Sequence, residues 1–118
     1  MNRKIKFRIW NDYDKKMIHW NELLENNLAN IFTIPSYDKW LMQYTGLDDK
    51  NGKEIYEGDI VGDNKIKWIV KWNKNRMGFS LYPTTEQLYD EMPINVENKL
   101  GFKILGNIYD NPELLGGE

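Results

Sequence analysis

Apolar and polar residues alternate from the start of the chain. Ile5, Phe7 and Ile9 share one side of an extended segment, and Lys4, Lys6 and Arg8 share the other. A period of two marks a half-buried strand. "NDYDK" (11–15) supplies turn residues and "KMIHW" (16–20) a return strand, so the first twenty residues predict a hairpin. His19, the single histidine, alternates there with Ile18 and Trp20, as a surface or partly packed imidazole would. "NELLENNLAN" (21–30) predicts a short helix, with Asn21 as N-cap and Leu24 and Leu28 one turn apart. Pro35 and Ser36 then break the chain.

The same period returns in "WLMQYT" (40–45), where Trp40, Met42 and Tyr44 share a face. Ile55–Tyr56 and Ile60–Val61 mark further short strands. In "KIKWIVKW" (65–72), Ile66, Trp68, Val70 and Trp72 fall on the core side, and Lys65, Lys67 and Lys71 on the outer side. "MGFSLYP" (77–83) can pair with it across the turn "NKNR" (73–76). "TTEQLYDEM" (84–92) reads as a short helix and "FKILGNIY" (102–109) as a last strand. "DNPELL" (110–115) has a helix-start pattern, with Pro at the first helical position and Glu in the first turn.

Short strands at regular spacing, separated by turn signals, predict a mainly β (α+β) fold. The expected form is a small, partly open SH3-like β-barrel or a highly curved antiparallel sheet, with an N-terminal hairpin and short helices. "YEGDIV" (56–61), followed by a Trp-bearing strand, resembles the strand entry of such barrels. No repeat, low-complexity tract or linker divides the 118 residues, so one domain spanning 1–118 is expected.

Composition narrows the function more than it names it. The absence of cysteine excludes disulfides, thiolate nucleophiles and cysteine-type zinc sites. No apolar run approaches the ~18 residues of a membrane span, and "MNRKIKFRIW" lacks the apolar centre of a signal peptide. A cytoplasmic protein without a membrane partner is expected. The net charge of −2 gives no overall attraction to nucleic acid.

"GLDDKNGK" (46–53) invites a phosphate-loop reading and fails it. Five residues, not four, separate Gly46 from Gly52, and Glu54 stands where a hydroxyl should meet magnesium. A calcium loop with Gly52 at its sixth position places Asp49 and Asn51 correctly. It leaves Leu47 first and Gly58 twelfth, where ligands are required. A hairpin connection through Asn51–Gly52, which tolerates positive φ, explains the stretch better; "EGD" (57–59) is a second tight turn. Asp48 and Asp49 are expected to be exposed turn carboxylates with unperturbed chemistry. With one histidine and no cysteine, no metal site or cofactor is expected. Ser36 and Ser80 lack a nucleophile-elbow sequence, so no catalytic residue is expected and the protein reads as a non-enzyme.

The clearest functional signal is basic. Lys65, Lys67 and Lys71 face away from Trp68 and Trp72, and with Lys4, Lys6 and Arg8 they form a candidate face for the phosphate backbone of nucleic acid. The same lysines would equally protect an edge strand from aggregation.

Three longer motifs carry a resemblance. "IKFRIW" (5–10), "LMQYTGLDDKNGKEIYEGDIV" (41–61) and "ILGNIYDNPELL" (104–115) together resemble the YopX family, encoded largely by bacteriophages and prophages of low-GC Gram-positive bacteria. Thirteen Lys against three Arg agrees with an AT-rich source. The motif positions are Tyr44, Thr45, Gly46, Gly52, Tyr56, Gly58, Asp59, Gly106 and Asn107, mostly turn formers and so structural. The family is functionally uncharacterised and lends no catalytic residue, and residues 73–99 carry no part of its pattern. The resemblance implies a mostly β fold and ring-like homo-oligomers. The expectation is a phage or prophage accessory protein that binds a host or phage protein, with weak sequence-independent nucleic-acid binding as the alternative.

Overall fold

The structure is a computed structural model that describes residues 4–25, 37–63, 66–84, 91–94 and 102–115. Strands dominate it. A four-stranded sheet is ordered β2-β1-β3-β4, from Lys16–Ile18 (β2), Phe7–Asn11 (β1), Leu41–Asp48 (β3) and Glu54–Tyr56 (β4). A five-stranded sheet is ordered β8-β7-β6-β5-β9, from Met92–Pro93 (β8), Gly78–Pro83 (β7), Lys67–Asn73 (β6), Asp59–Gly62 (β5) and Lys103–Asn107 (β9). Every pairing is antiparallel, and one sheet curls strongly into a half-barrel. Helices Trp20–Glu25 (α1) and Tyr37–Trp40 (α2) lie between β2 and β3, and a 3₁₀ turn spans Pro112–Leu115. The mainly β, curved-sheet expectation holds.

Asparagine sets three of the turns. The Oδ1 of Asn11 accepts from the amides of Tyr13 and Asp14, that of Asn73 from Asn75 and Arg76, and that of Asn107 from Tyr109 and Asp110. Each side chain mimics a backbone turn and fixes the reversal locally. The first two are therefore the hairpin tips that the sequence predicts. The strand pair Trp72↔Phe79 to Trp68↔Pro83 is likewise in the expected register.

Two apolar clusters flank the molecule. Ile55, Val61, Trp68, Val70 and Leu81 form the larger, with Phe102 and Ile104 against it. Ile9 and Leu23 form the smaller, covered by Ile18, Trp20, Trp40 and Leu41. Met42 and Tyr44 are buried on one face of β3, as alternation predicts. Trp40 ends α2 instead of starting that strand.

Other expectations are corrected. Leu23, not Leu24, carries α1 into the core, and Leu24 is exposed. His19 is in no strand: its amide donates to Glu22 Oε1 and its carbonyl accepts from the Leu23 amide, so it caps α1 in place of Asn21. Trp72 is 47% exposed because β6 outlasts the core beneath it, and its ring meets Phe79 edge-on at 5.2 Å. Asp49 is 5% exposed, since its loop docks on β9. Leu28, Pro35, Ser36, Lys65 and most of the 84–92 helix lie outside the described residues.

Candidate functional site

A cleft of about 440 Å³ opens where the two sheets meet. Five elements supply it. Lys6 precedes β1, and Arg8 lies within it. His19 and Trp20 come from the start of α1, and Lys53, Glu54 and Tyr56 from β4 and its approach. Asp59 begins β5, and Ile104, Gly106 and Asn107 come from β9. The size falls in the range of small-molecule sites.

Arg8 and Asp59 form its charged floor. Arg8 Nη2 donates to Asp59 Oδ1 at 2.8 Å and to the Glu57 carbonyl at 3.1 Å, while the Tyr56 amide donates to Asp59 Oδ2 at 2.8 Å. The Arg8 guanidinium also lies over the Tyr56 ring, 4.8 Å from its centroid. Both charged residues are buried, at 7% and 2% exposure. Burial pushes the Asp59 carboxyl above its ordinary value although Arg8 pulls it down. The Tyr56 phenol is pushed up to about 12, first by burial and then by the Glu54 carboxylate. Among the described residues, the buried Arg8 Nε has no hydrogen-bond partner. At the rim, Lys6 Nζ meets Glu54 Oε2 at 2.6 Å with both groups partly exposed. Lys53 is exposed.

Arg8 is therefore a correction to the basic face: β1 is covered on both sides, and the guanidinium points into the seam. Lys6 is held by Glu54. Lys71 is exposed over the Tyr82 ring at 5.4 Å on the other sheet, Lys67 is half-buried, Lys4 is exposed and Lys65 lies outside the described residues. The two basic segments occupy different sheets.

The motif residues divide between turns and cleft. Thr45 Oγ1 donates to the Ile55 carbonyl, and Gly46, with φ of 91°, sits in the register shift of β3 against β4. Tyr44 OH donates to Asp48 Oδ1 at 2.7 Å, and burial raises its phenol first. Gly52 closes the β3–β4 turn at φ 82°. Gly58, just before β5, ties β6 to the turn after β9: its amide donates to the Val70 carbonyl and its carbonyl accepts from the Ile108 amide. At Gly106 a Cβ would lie 2.4 Å from Asn111 Oδ1, which accepts from the Asn107 amide. Tyr56, Asp59, Gly106 and Asn107 thus join Lys6 and Arg8 at one cleft. Nothing in the sequence marks His19, Trp20, Lys53, Glu54 or Ile104 as cleft residues, because their neighbours in the cleft are remote along the chain.

Asp49 acts on the scaffold beside the cleft. Its Oδ1 accepts from the amides of Asn51 and Lys53, and its Oδ2 from that of Ile104. Burial pushes the carboxyl up, but the three amides outweigh it and hold it below the ordinary range. Among the described residues no group of three or more His, Cys, Asp or Glu is placed to hold a metal ion. No described helix is long and apolar enough to cross a membrane.

The family model described as YopX protein matches residues 6–116. Protein EF1440 from Enterococcus faecalis, known from a crystal structure, is similar in fold: 24% identity, a TM-score of 0.65, and coverage of 97% of this chain and 99% of that one. No curated protein matches.

Proposed function

The chain belongs to the YopX family, and on that premise we propose that it is a bacteriophage or prophage accessory protein that acts by binding a partner protein, not by catalysis. The supporting observation is the tip of the β6–β7 hairpin. Trp72 and Met77 are 47% and 76% exposed there, beside Phe79. Trp, Phe and Met are residue types enriched at interfaces and depleted on ordinary surfaces. Lys71 and Lys74 are exposed on the same hairpin, while Arg76 there is paired with Glu91, so the matching partner is a host or phage protein with an apolar patch flanked by acid. The carboxylates of the cleft are already committed to Lys6 and Arg8 in ion pairs, which favours recognition over acid–base chemistry.

The test is capture from host lysate with tagged wild-type protein and with the Trp72→Ser/Met77→Ser variant, each with and without nuclease. A protein retained after nuclease by wild type and lost by the variant supports the reading. Retention that ignores both substitutions refutes it. Recovery that disappears with nuclease would favour a nucleic-acid role for Lys67 and Lys71. Sedimentation of the purified protein tests whether a second copy occupies the hairpin instead.

A further inference from the structure

We propose that the cleft between the two sheets is a binding site for a small molecule that carries a carboxylate or phosphate on an apolar body. The proposal is separate from the hairpin and does not depend on it. Its first support is charge. Among the described residues, Lys6, Arg8 and Lys53 line the cleft against Glu54 and Asp59, so one cation is left over. Its second is the floor. Arg8 is nine-tenths buried, yet among the described residues its Nε hydrogen has no acceptor. Buried polar groups are nearly always paired, so an orphaned donor on a charged side chain needs an explanation. An anionic oxygen that reaches the guanidinium from the cleft would supply one, and Arg is the side chain best shaped for carboxylate and phosphate.

The walls account for the rest of the ligand. Trp20, half-buried and tilted against Phe7 at 6.1 Å, and Tyr56, held by the guanidinium above it, offer ring surface to an apolar body. Ile104 adds an aliphatic contact from β9. Lys53 is exposed at the rim, while Lys6 is paired with Glu54 and Arg8 with Asp59, so Lys53 is the cation that can turn toward an entering anion.

The probes are phenyl phosphate and benzoate, with benzyl alcohol as the uncharged control of similar shape. Each is titrated into the full chain at low salt while the indole N–H signals of the five tryptophans are followed, Trp20 assigned by Trp20→Phe. A saturable shift of the Trp20 signal is expected with one or both anions, with Trp72 unmoved and benzyl alcohol without comparable effect. The tighter anion distinguishes phosphate from carboxylate. Lys53→Gln and Lys6→Gln should each weaken binding about two- to fivefold, as expected for partly exposed charges, and added salt should weaken it further. Arg8→Met/Asp59→Asn should abolish it. If that variant does not fold, the two lysine variants decide. No saturable shift with either anion, an equal response to benzyl alcohol, or affinity unchanged in both lysine variants overturns the proposal.

Discussion

The Arg8–Asp59 pair lends itself to a double-mutant cycle. Asp59→Asn keeps the shape of the side chain but leaves a guanidinium at 7% exposure without its counter-ion. Breaking one side of a buried pair costs about 3–5 kcal/mol. Unfolding entropy of about 2.1 cal/mol/K per residue, over 118 residues, makes 1 kcal/mol worth about 4 °C in Tm. The single variant should therefore melt about 12–20 °C lower. Arg8→Met should lose a similar amount, including its contact with the Tyr56 ring. Removing both charges should cost less than the sum of the two, with a coupling of about 2 kcal/mol or more.

The pH dependence adds an independent check. Burial already raises the Asp59 carboxyl above its ordinary value, and Arg8 opposes that rise. Arg8→Met removes the opposition, so the carboxyl climbs further. A carboxyl with a folded pKa above its unfolded one binds its proton more tightly when folded. Its contribution is most favourable below the unfolded value and is lost as pH rises toward the folded one. Arg8→Met should thus recover stability on acidification from neutral, more than wild type does. Urea denaturation followed by tryptophan fluorescence measures all four proteins at pH 7 and pH 5. A loss under about 1 kcal/mol for Asp59→Asn, or strictly additive losses, would refute the reasoning.

Three further substitutions probe the scaffold. Gly106→Ala should lose about 1–3 kcal/mol, because its Cβ would displace Asn111 Oδ1 from the Asn107 amide. Gly78→Ala, where a Cβ meets nothing nearer than 4.0 Å, should stay within about 1 kcal/mol in the same thermal melts. Asp49→Asn should cost about 2–3 kcal/mol, since an amide nitrogen cannot accept from Ile104 while the other oxygen serves Asn51 and Lys53. The Asp49 carboxyl lies below its unfolded value, so its contribution is present above about pH 4 and lost as pH falls through the folded value. The gap between wild type and this variant should accordingly narrow in urea melts taken at pH 3.

Alternation read the strands well where one face is buried and the other wet. Met42 and Tyr44 in β3, and Trp68 and Val70 in β6, show that pattern. It failed where that premise fails. The period in β1 assigns Arg8 to water, but Ile9 packs with Leu23 on one side while Arg8 meets Asp59 on the other, so both faces are covered. In β6 the pattern continues to Trp72 although the core stops at Val70. Asp49 has every local mark of an exposed turn; what buries it is Ile104, 55 residues away. The cleft was illegible for the same reason, since its pieces run from Lys6 to Asn107. The local chemistry of the Asn turns, by contrast, was readable at Asn11 and Asn73, because the turn is closed by the residue that starts it.

The motif glycines and the charged floor meet in one argument about the seam. Gly58 ties β6 to the turn after β9 through its own amide and carbonyl, and this places Asp59 one residue away at the start of β5. Between the two apolar clusters the seam is therefore polar: an ion pair, an amide to Asp59 and a carbonyl to Arg8. Apolar side chains there would gain by closing against each other. Charged groups resist closure, because a guanidinium and a carboxylate keep their favourable geometry only at hydrogen-bond distance. The floor thereby holds the cleft open beside it. The Arg8→Met/Asp59→Asn variant, designed to measure the pair, also tests this point: the Trp20 indole signal should move even without ligand, because the apolar replacement lets the walls approach. An unmoved signal would mean that the backbone around Gly58, not the ion pair, sets the spacing of the sheets.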